Sequence, residues 1–148
     1  MSLKDRISED MKAAMKAHEK DRLAVIRMVR SAIRQTEIDG KKDLDDEGVI
    51  AVISKELKMR KDSLEEFRKG GRDDLVEKTQ AEIDVLLPYL PAQLSEDEVR
   101  ELVKAAVEQT GAATPKDMGK VMGVLMPKVK GRADGKMVNT IVKSFLQG

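Results

Sequence analysis

Two prolines, Pro88 and Pro91, interrupt a sequence that is otherwise patterned for helix throughout. Because proline disfavours the helical conformation of the residue before it, Pro91 predicts an extended backbone at Leu90. Aliphatic residues recur at helical spacing on both sides of this break. We therefore expect two domains, over residues 1–90 and 91–148, joined by a short proline-stiffened connector rather than by a flexible tether.

Residues 1–90 contain four amphipathic patterns, each of which predicts a helix. The first opens with a capping box formed by Ser2 and Asp5. The others are expected at about Asp21–Asp39 with Gly40 as the stop, from near Asp46 to Gly70-Gly71, and at about Asp73–Leu87. The apolar faces of the first two helices comprise Leu3, Ile7, Met11, Ala14 and Met15, and Val25, Met28, Val29, Ala32 and Ile33. Short loops between four such helices predict a helical bundle or a pair of hairpins.

The C-terminal domain carries clear start signals for three further helices. Ser95 and Glu98 form a capping box at the fifth, Thr114 caps the sixth, and Asp134 caps the seventh. The apolar stripe of the seventh helix comprises Val138, Ile141, Val142, Phe145 and Leu146. The whole chain is 41% hydrophobic, 37% charged and only 2% aromatic, which is typical of amphipathic helical proteins. The predicted fold class is therefore all-α, with a four-helix domain joined by the proline connector to a small three-helix domain.

Positive charge is concentrated in one part of the C-terminal domain. Between Lys116 and Lys143 there are seven lysines and arginines but only two acids, Asp117 and Asp134, whereas the net charge of the whole chain is +1. A chain so close to neutrality exerts no long-range attraction on nucleic acid, so such binding would depend on a local patch. The charge of this segment favours a phosphate-bearing partner.

The sixth helix places two glycines within this basic segment. On a helical wheel, one apolar arc that we expect to be buried comprises Met118, Val121, Met122, Leu125 and Met126. Gly119 and Gly123 lie at the edge of that arc, and Lys116 and Lys120 lie beyond them. Each glycine costs roughly 0.5–1 kcal/mol relative to alanine inside a helix, so the pair is expected to serve a purpose. Two interpretations remain open: close packing of another helix, or contact with a sugar-phosphate backbone.

The loop before the seventh helix combines cations with glycines. Lys128, Lys130, Arg132 and Lys136 surround Gly131 and Gly135. Exposed amides at a helix start, the positive end of its dipole and nearby cations all favour an anion. The alternative is an ordinary solvated lysine-rich loop. We interpret two other basic faces as solvated helix surface, namely Arg27, Arg30 and Arg34 on the second helix, and Lys55, Lys58, Arg60 and Lys61 on the third.

Neither a catalytic site nor a metal or cofactor site is expected. The chain has no cysteine, and its single histidine, His18, lies in a polar helix end. A Cys–His pair therefore cannot form, and a Ser–His–Asp triad would depend on this one histidine. Neither a Walker-type loop nor a dinucleotide fingerprint is present. No apolar run reaches the length of a signal-peptide core or a membrane span, so we expect a cytoplasmic protein that does not bind membranes.

Five segments together resemble the GatB/YqeY family, and the resemblance covers nearly the whole chain. They are DRLAVIRMVRSAI (21–33), KELKMRKDS (55–63), FRKGGRDDLV (67–76), YLPAQLS (89–95) and DMGKVMGVLMPKVKGRADG (117–135). The C-terminal part is similar to the tail domain of the B subunit of bacterial glutamyl/aspartyl-tRNA amidotransferase, a domain that holds the tRNA. The resemblance implies RNA contact at Lys116, Gly119, Lys120, Gly123, Lys128, Lys130, Gly131, Arg132 and Lys136.

Two functional hypotheses follow from the segment and the resemblance. The first is a non-catalytic protein that binds tRNA, or another structured RNA, through its backbone, since Tyr89 and two phenylalanines offer hardly any stacking surface. The alternative is an accessory of a glutamine-dependent amidotransferase complex that acts through protein contacts with its subunits. Family-level labels for such chains can read carbon–nitrogen ligase, but the resemblance carries over no catalytic residue. Neither hypothesis specifies an oligomeric state.

Overall fold

Residues 1–147, the part of the chain that the computed structural model describes, form helices and no strand, which confirms the all-α fold class. The α-helices of this part are α1 Leu3–Lys16, α2 Lys20–Gly40, α3 Asp46–Lys69, α4 Asp73–Leu86, α5 Glu96–Thr110, α6 Met118–Val129 and α7 Gly135–Gln147. Short 3-10 turns cover Leu87–Tyr89 and Pro115–Asp117. The chain divides into two compact units, Met1–Leu90 and Pro91–Gly148.

Side-chain caps start α1 and α5 as the sequence predicts. The Ser2 hydroxyl accepts the Asp5 N–H at 3.1 Å, and the Asp5 carboxylate accepts the Ser2 N–H in return. The pair Ser95 and Glu98 repeats this arrangement, with bonds of 3.1 and 3.0 Å. Each box satisfies amide groups that have no partner within the helix, so both starts are determined by residues three positions apart.

The end of α2 differs from the prediction. Gly40 is the last helical residue, and the left-handed conformation expected just after a helix falls on Lys41, with φ 54°. The loop that follows is held by Glu37, whose carboxylate accepts the Leu44 N–H at 2.8 Å and a hydrogen bond from the Lys4 ammonium. Both partners of Glu37 lie outside α2, so the position of the glycine alone did not predict where the helix ends.

The core of the first unit is built from aliphatic residues of α1 to α4. Its largest fully buried members are Ile7, Ile26, Val29, Val49, Ile53 and Leu86. Met15 and Met28 were expected on the apolar faces but are 48% and 46% exposed. A helix buries only the stripe that meets its neighbours, and that stripe is narrower here than the periodicity indicates.

Arg60 lies in this core rather than on the solvated surface where the sequence placed it, with only 7% of its area exposed. Its Nη1 donates to Glu56 Oε2 at 2.7 Å, its Nε lies 3.3 Å from Glu82 Oε1 on α4, and its Nη2 lies 3.0 Å from Met28 Sδ on α2. One arginine on α3 therefore contacts the two neighbouring helices and keeps its charge compensated.

The proline segment closes the first unit. Pro88 lies within the 3-10 turn Leu87–Tyr89, and Leu90 has the extended conformation predicted for a residue before proline, with φ −102° and ψ 155°. Tyr89 is buried, its hydroxyl donates to Asp10 Oδ2 at 2.5 Å, and the Arg6 guanidinium lies 4.9 Å from the centre of its ring. Side chains of α1 thus hold the turn in place.

The second unit has its own hydrophobic core between α5, α6 and α7. Its buried residues are Val99, Val103, Ala106, Val121, Leu125, Val129, Val138, Ile141, Val142 and Leu146. Phe145, expected in the apolar stripe of α7, is 38% exposed, whereas the other members of that stripe are buried. Gly111 ends α5 in the left-handed conformation, with φ 67°, as its position predicts.

Candidate nucleic-acid interface

The orientation of α6 decides which of its residues are accessible. Val121, Leu125 and Val129 are its buried residues. At about 100° per residue, Gly123 and Pro127 lie on the opposite side of the helix, and both are exposed. The outer face of α6, defined here as Gly119, Lys120, Gly123, Met126 and Pro127, is thus directed away from the core.

This orientation corrects the predicted apolar arc. Met126 was expected to be buried but is 41% exposed, while Met118 and Met122 are only partly buried. The buried stripe is centred on Leu125 because α5 and α7 cover that side. The glycines therefore lie on the accessible face and do not border the core.

Neither glycine of the outer face packs against another part of the described chain. A Cβ atom built on Gly119 or Gly123 would meet no atom of residues 1–147 within 4 Å, the helix's own nearby backbone aside. Close helix packing, one of the two interpretations of this spacing, therefore has no counterpart within residues 1–147. The bare backbone is left for a ligand or for a partner molecule.

Pro127 adds a feature that the sequence reasoning did not use. It lies inside α6, and proline has no N–H. The carbonyl oxygen of Gly123, four residues earlier, consequently lacks its usual helical donor. The signal was present in the sequence as a proline four residues after a glycine. The proline ring lies on the side of that carbonyl, so the missing hydrogen bond marks a local irregularity of α6.

The five lysines predicted to bind RNA are all exposed, namely Lys116, Lys120, Lys128, Lys130 and Lys136. Lys120 lies on the outer face of α6, Lys116 precedes the helix, and Lys128 and Lys130 lie at its C-terminal end. Lys136 lies on α7, in a groove shared with Glu96 and Arg100 of α5. Within the described part of the chain, none of the five forms an ion pair. Asp117, the acid nearest in sequence to Lys116 and Lys120, accepts the N–H groups of Ala113 at 3.0 Å and Thr114 at 3.3 Å. These backbone hydrogen bonds lower the pKa of Asp117 and fix its carboxylate at the turn before α6.

Arg132 and Gly131 form hydrogen bonds to the segment 92–94 of the same unit. Arg132 Nε donates to the Ala92 carbonyl at 3.1 Å, and the Arg132 carbonyl accepts the Leu94 N–H at 2.7 Å. Gln93 Nε2 donates to the Gly131 carbonyl at 2.9 Å, and Gly131 has a left-handed φ of 74°. This set of bonds, here termed the loop clamp, ties residues 92–94 to residues 131–132. Much of the donor capacity of Arg132 is therefore committed within the protein.

The N-terminus of α7 is less accessible to an anion than the sequence indicated. Asp134 Oδ1 accepts the Lys136 N–H at 3.0 Å, as expected for a capping residue. One amide that could have bound an anion is thereby occupied, and a carboxylate lies at the positive end of the helix. The accessible positive charge of this region therefore comes from lysine side chains rather than from the helix terminus.

No group of three or more His, Cys, Asp or Glu residues within residues 1–147 is arranged to hold a metal ion. No helix of that part is long and apolar enough to span a membrane. His18, the single histidine, is exposed and has a left-handed φ of 57°.

Known proteins similar to this chain were identified by sequence comparison. A family model described as Yqey-like protein matches residues 4–146. A protein of Pyrenophora tritici-repentis is 38% identical over 131 residues, covering 86% of this chain and 71% of that protein. A Saccharomyces cerevisiae protein is 32% identical over 146 residues, covering 92% and 79%. A Kluyveromyces lactis protein is 45% identical over 87 residues, covering 58% and 47%. All three relatives are named altered inheritance of mitochondria protein 41, mitochondrial.

The relatives contradict the expectation of a cytoplasmic protein, because their names assign them to mitochondria. That expectation was drawn from the apparent lack of an apolar targeting segment. Mitochondrial targeting segments are amphipathic rather than uniformly apolar, so hydropathy gives no information on this compartment. The names state neither a ligand nor a reaction.

Proposed function

The chain belongs to the Yqey-like family, and from this premise we propose that its second unit is a non-catalytic tRNA-binding module. Two things support this function: the family to which the chain belongs, and the resemblance of its C-terminal segment to the tail domain that holds tRNA in the amidotransferase. The exposure of Gly119 and Gly123 on α6 is the observation that carries it. Two positions without a side chain on this face allow a sugar-phosphate backbone to approach the helix closely.

The distribution of lysines also supports RNA binding at the outer face of α6. Lys120 lies on the outer face of α6, and Lys116 precedes the helix while Lys128 and Lys130 lie at its end. Each lysine that neutralises a phosphate releases a condensed counterion, which favours binding at low salt. In the second unit Phe145 is the single aromatic residue among those described, and Tyr89 is buried in the first unit, so base stacking has little surface available. Binding is therefore expected to depend on RNA shape and backbone more than on base identity.

A salt-dependent titration tests the proposal. tRNA would be titrated by fluorescence anisotropy against the wild type, the variant Lys120→Ala/Lys128→Ala/Lys130→Ala, and the control Lys104→Ala, whose lysine is exposed on α5. The triple variant should bind more weakly, with a slope of log affinity against log salt smaller by about 2–3. Arg132 is left intact because of its role in the loop clamp. Affinities and slopes equal to those of Lys104→Ala would refute the proposal.

One observation favours the alternative, an accessory of an amidotransferase complex that acts through protein contacts. Met126 is 41% exposed beside the two glycines, and an apolar side chain there suits a protein partner. Met126→Lys separates the two functions, because an added cation strengthens RNA binding whereas it disrupts an apolar protein interface. Co-purification with amidotransferase subunits that is lost in Met126→Lys, together with unchanged RNA affinity, would favour the alternative.

A further inference from the structure

A cleft of about 270 Å³ lies between α1 and α2 in the first unit. Arg30 and Arg34, one helical turn apart on α2, line it together with Ser31 and with Ser8 of α1. Pockets for drug-sized ligands occupy about 300–1,000 Å³, so this cleft suits one small chemical group. The sequence alone placed both arginines on a solvated helix face.

The cleft carries a net positive charge. Lys4 and Glu37 also line it, but they pair with each other, and Glu37 accepts the Leu44 N–H as well. Arg30 Nη1 lies 3.0 Å from Met11 Sδ, and a thioether is only a weak acceptor. Within the described residues, neither Arg30 nor Arg34 forms an ion pair. The hydrogen bond from Lys4 lowers the pKa of the Glu37 carboxyl, and Arg34 lies near enough to help lower it. Glu37 thus compensates part of the charge, but the cleft still holds three cations, Lys4, Arg30 and Arg34, against this one carboxylate among the described residues.

Both serines supply hydroxyl groups for which no hydrogen-bond partner is found among the described residues. Thr36, also on α2, returns its hydroxyl to the Ala32 carbonyl at 2.9 Å, as Ser and Thr commonly do within helices. Ser8 and Ser31 form no such bond within residues 1–147. The cleft thus combines two guanidinium groups with two hydroxyl donors. The buried apolar side chains of Ile7 and Ile33 form its floor.

We propose that this cleft binds a phosphate group. A terminal phosphate offers three strong acceptor oxygens, and guanidinium groups bind such oxygens in a bidentate manner. A carboxylate offers only two oxygens and would leave part of the donor set unused. The paired Glu37 is the one carboxylate at the cleft among the described residues, so phosphate meets little repulsion there. The group comes from a small phosphorylated compound or from the backbone of an RNA.

Titration with inorganic phosphate tests this site directly. Amide shifts of the full ¹⁵N-labelled chain would be followed at about pH 8, where phosphate is a dianion, against chloride at matched ionic strength. Saturable shifts at Ser8, Ser31 and Arg34 are expected in the wild type. Arg30→Gln/Arg34→Gln should bind at least about tenfold more weakly. Arg27→Gln, a change on α2 at an exposed position outside the cleft, should bind like the wild type.

The same variants distinguish the two sources of phosphate. If the cleft takes an RNA phosphate, Arg30→Gln/Arg34→Gln weakens tRNA binding relative to Arg27→Gln. If the cleft takes a small phosphorylated compound, Arg30→Gln/Arg34→Gln binds tRNA as tightly as Arg27→Gln does. The double variant then loses only the saturable response to inorganic phosphate. Thermal unfolding confirms that each variant is folded. Shifts that chloride reproduces, together with equal tRNA affinities for both variants, would overturn the proposal.

Discussion

The Nη1 atom of Arg60 lies 2.7 Å from Oε2 of Glu56, one turn earlier on α3, although only 7% of the arginine is exposed. Removing one partner of a buried ion pair leaves the other charge poorly compensated. Arg60→Ala should therefore lower the free energy of unfolding by about 2–4 kcal/mol. Arg60→Met, which keeps the apolar stem, should cost less. Urea denaturation measures both, with the exposed Lys61→Ala as the control. A loss no larger than that of Lys61→Ala would show that Arg60 is dispensable to the core.

Substitution of the α6 glycines should separate stability from binding. Alanine fits at Gly119 and Gly123, because a new Cβ meets nothing within 4 Å in the described chain. Each change should stabilise the protein by roughly 0.5–1 kcal/mol. The same methyl groups should weaken tRNA binding by covering the bare backbone. Thermal unfolding and anisotropy measure the two effects. Gly111→Ala is the contrasting control and should destabilise, since its φ is 67°. Unaltered RNA affinity in the double variant would remove the glycines from the interface.

Tyr89 should make stability depend on alkaline pH. Burial, followed by the hydrogen bond to Asp10, raises the pKa of Tyr89 above its ordinary value of 10.0. An acid whose pKa is raised on folding contributes stability that is fully present below the unfolded pKa and is lost as pH rises towards the folded value. Above about pH 10, the wild type should lose up to about 1.4 kcal/mol per pH unit more than Tyr89→Phe. Denaturant unfolding at several pH values measures this difference, and parallel curves would contradict it.

The loop clamp should respond to Arg132 but not to its neighbour Lys130. Arg132→Ala removes the bond to the Ala92 carbonyl, and it should destabilise the clamp by about 1–2 kcal/mol. The Leu94 amide, which donates to the Arg132 carbonyl at 2.7 Å, should then exchange with deuterium faster. Lys130→Ala removes the same charge without touching these bonds. Hydrogen exchange by NMR compares the two variants, and equal rates at Leu94 would argue against a structural role for the Arg132 side chain.

The predicted surface of α6 shows where sequence reasoning succeeded and where it failed. The helix was predicted from its periodicity, whereas the role of its two glycines was left open between helix packing and RNA contact. The buried side was misjudged because Met126 was counted with the core, although α5 and α7 cover the side centred on Leu125. Periodicity identifies an apolar arc, but the position of neighbouring helices decides which part of the arc is buried.

The sequence by itself determined the features that depend on residues within about four positions of each other. The capping boxes at Ser2 and Ser95, the left-handed Gly111 and the extended Leu90 follow from such local bonds and steric contacts. Only the tertiary structure decided the roles of the arginines. Arg132 reaches a carbonyl 40 residues away, and Arg60 reaches Met28 across 32 residues. In the sequence both are simply positive charges, because burial and partners depend on chain segments that meet only after folding.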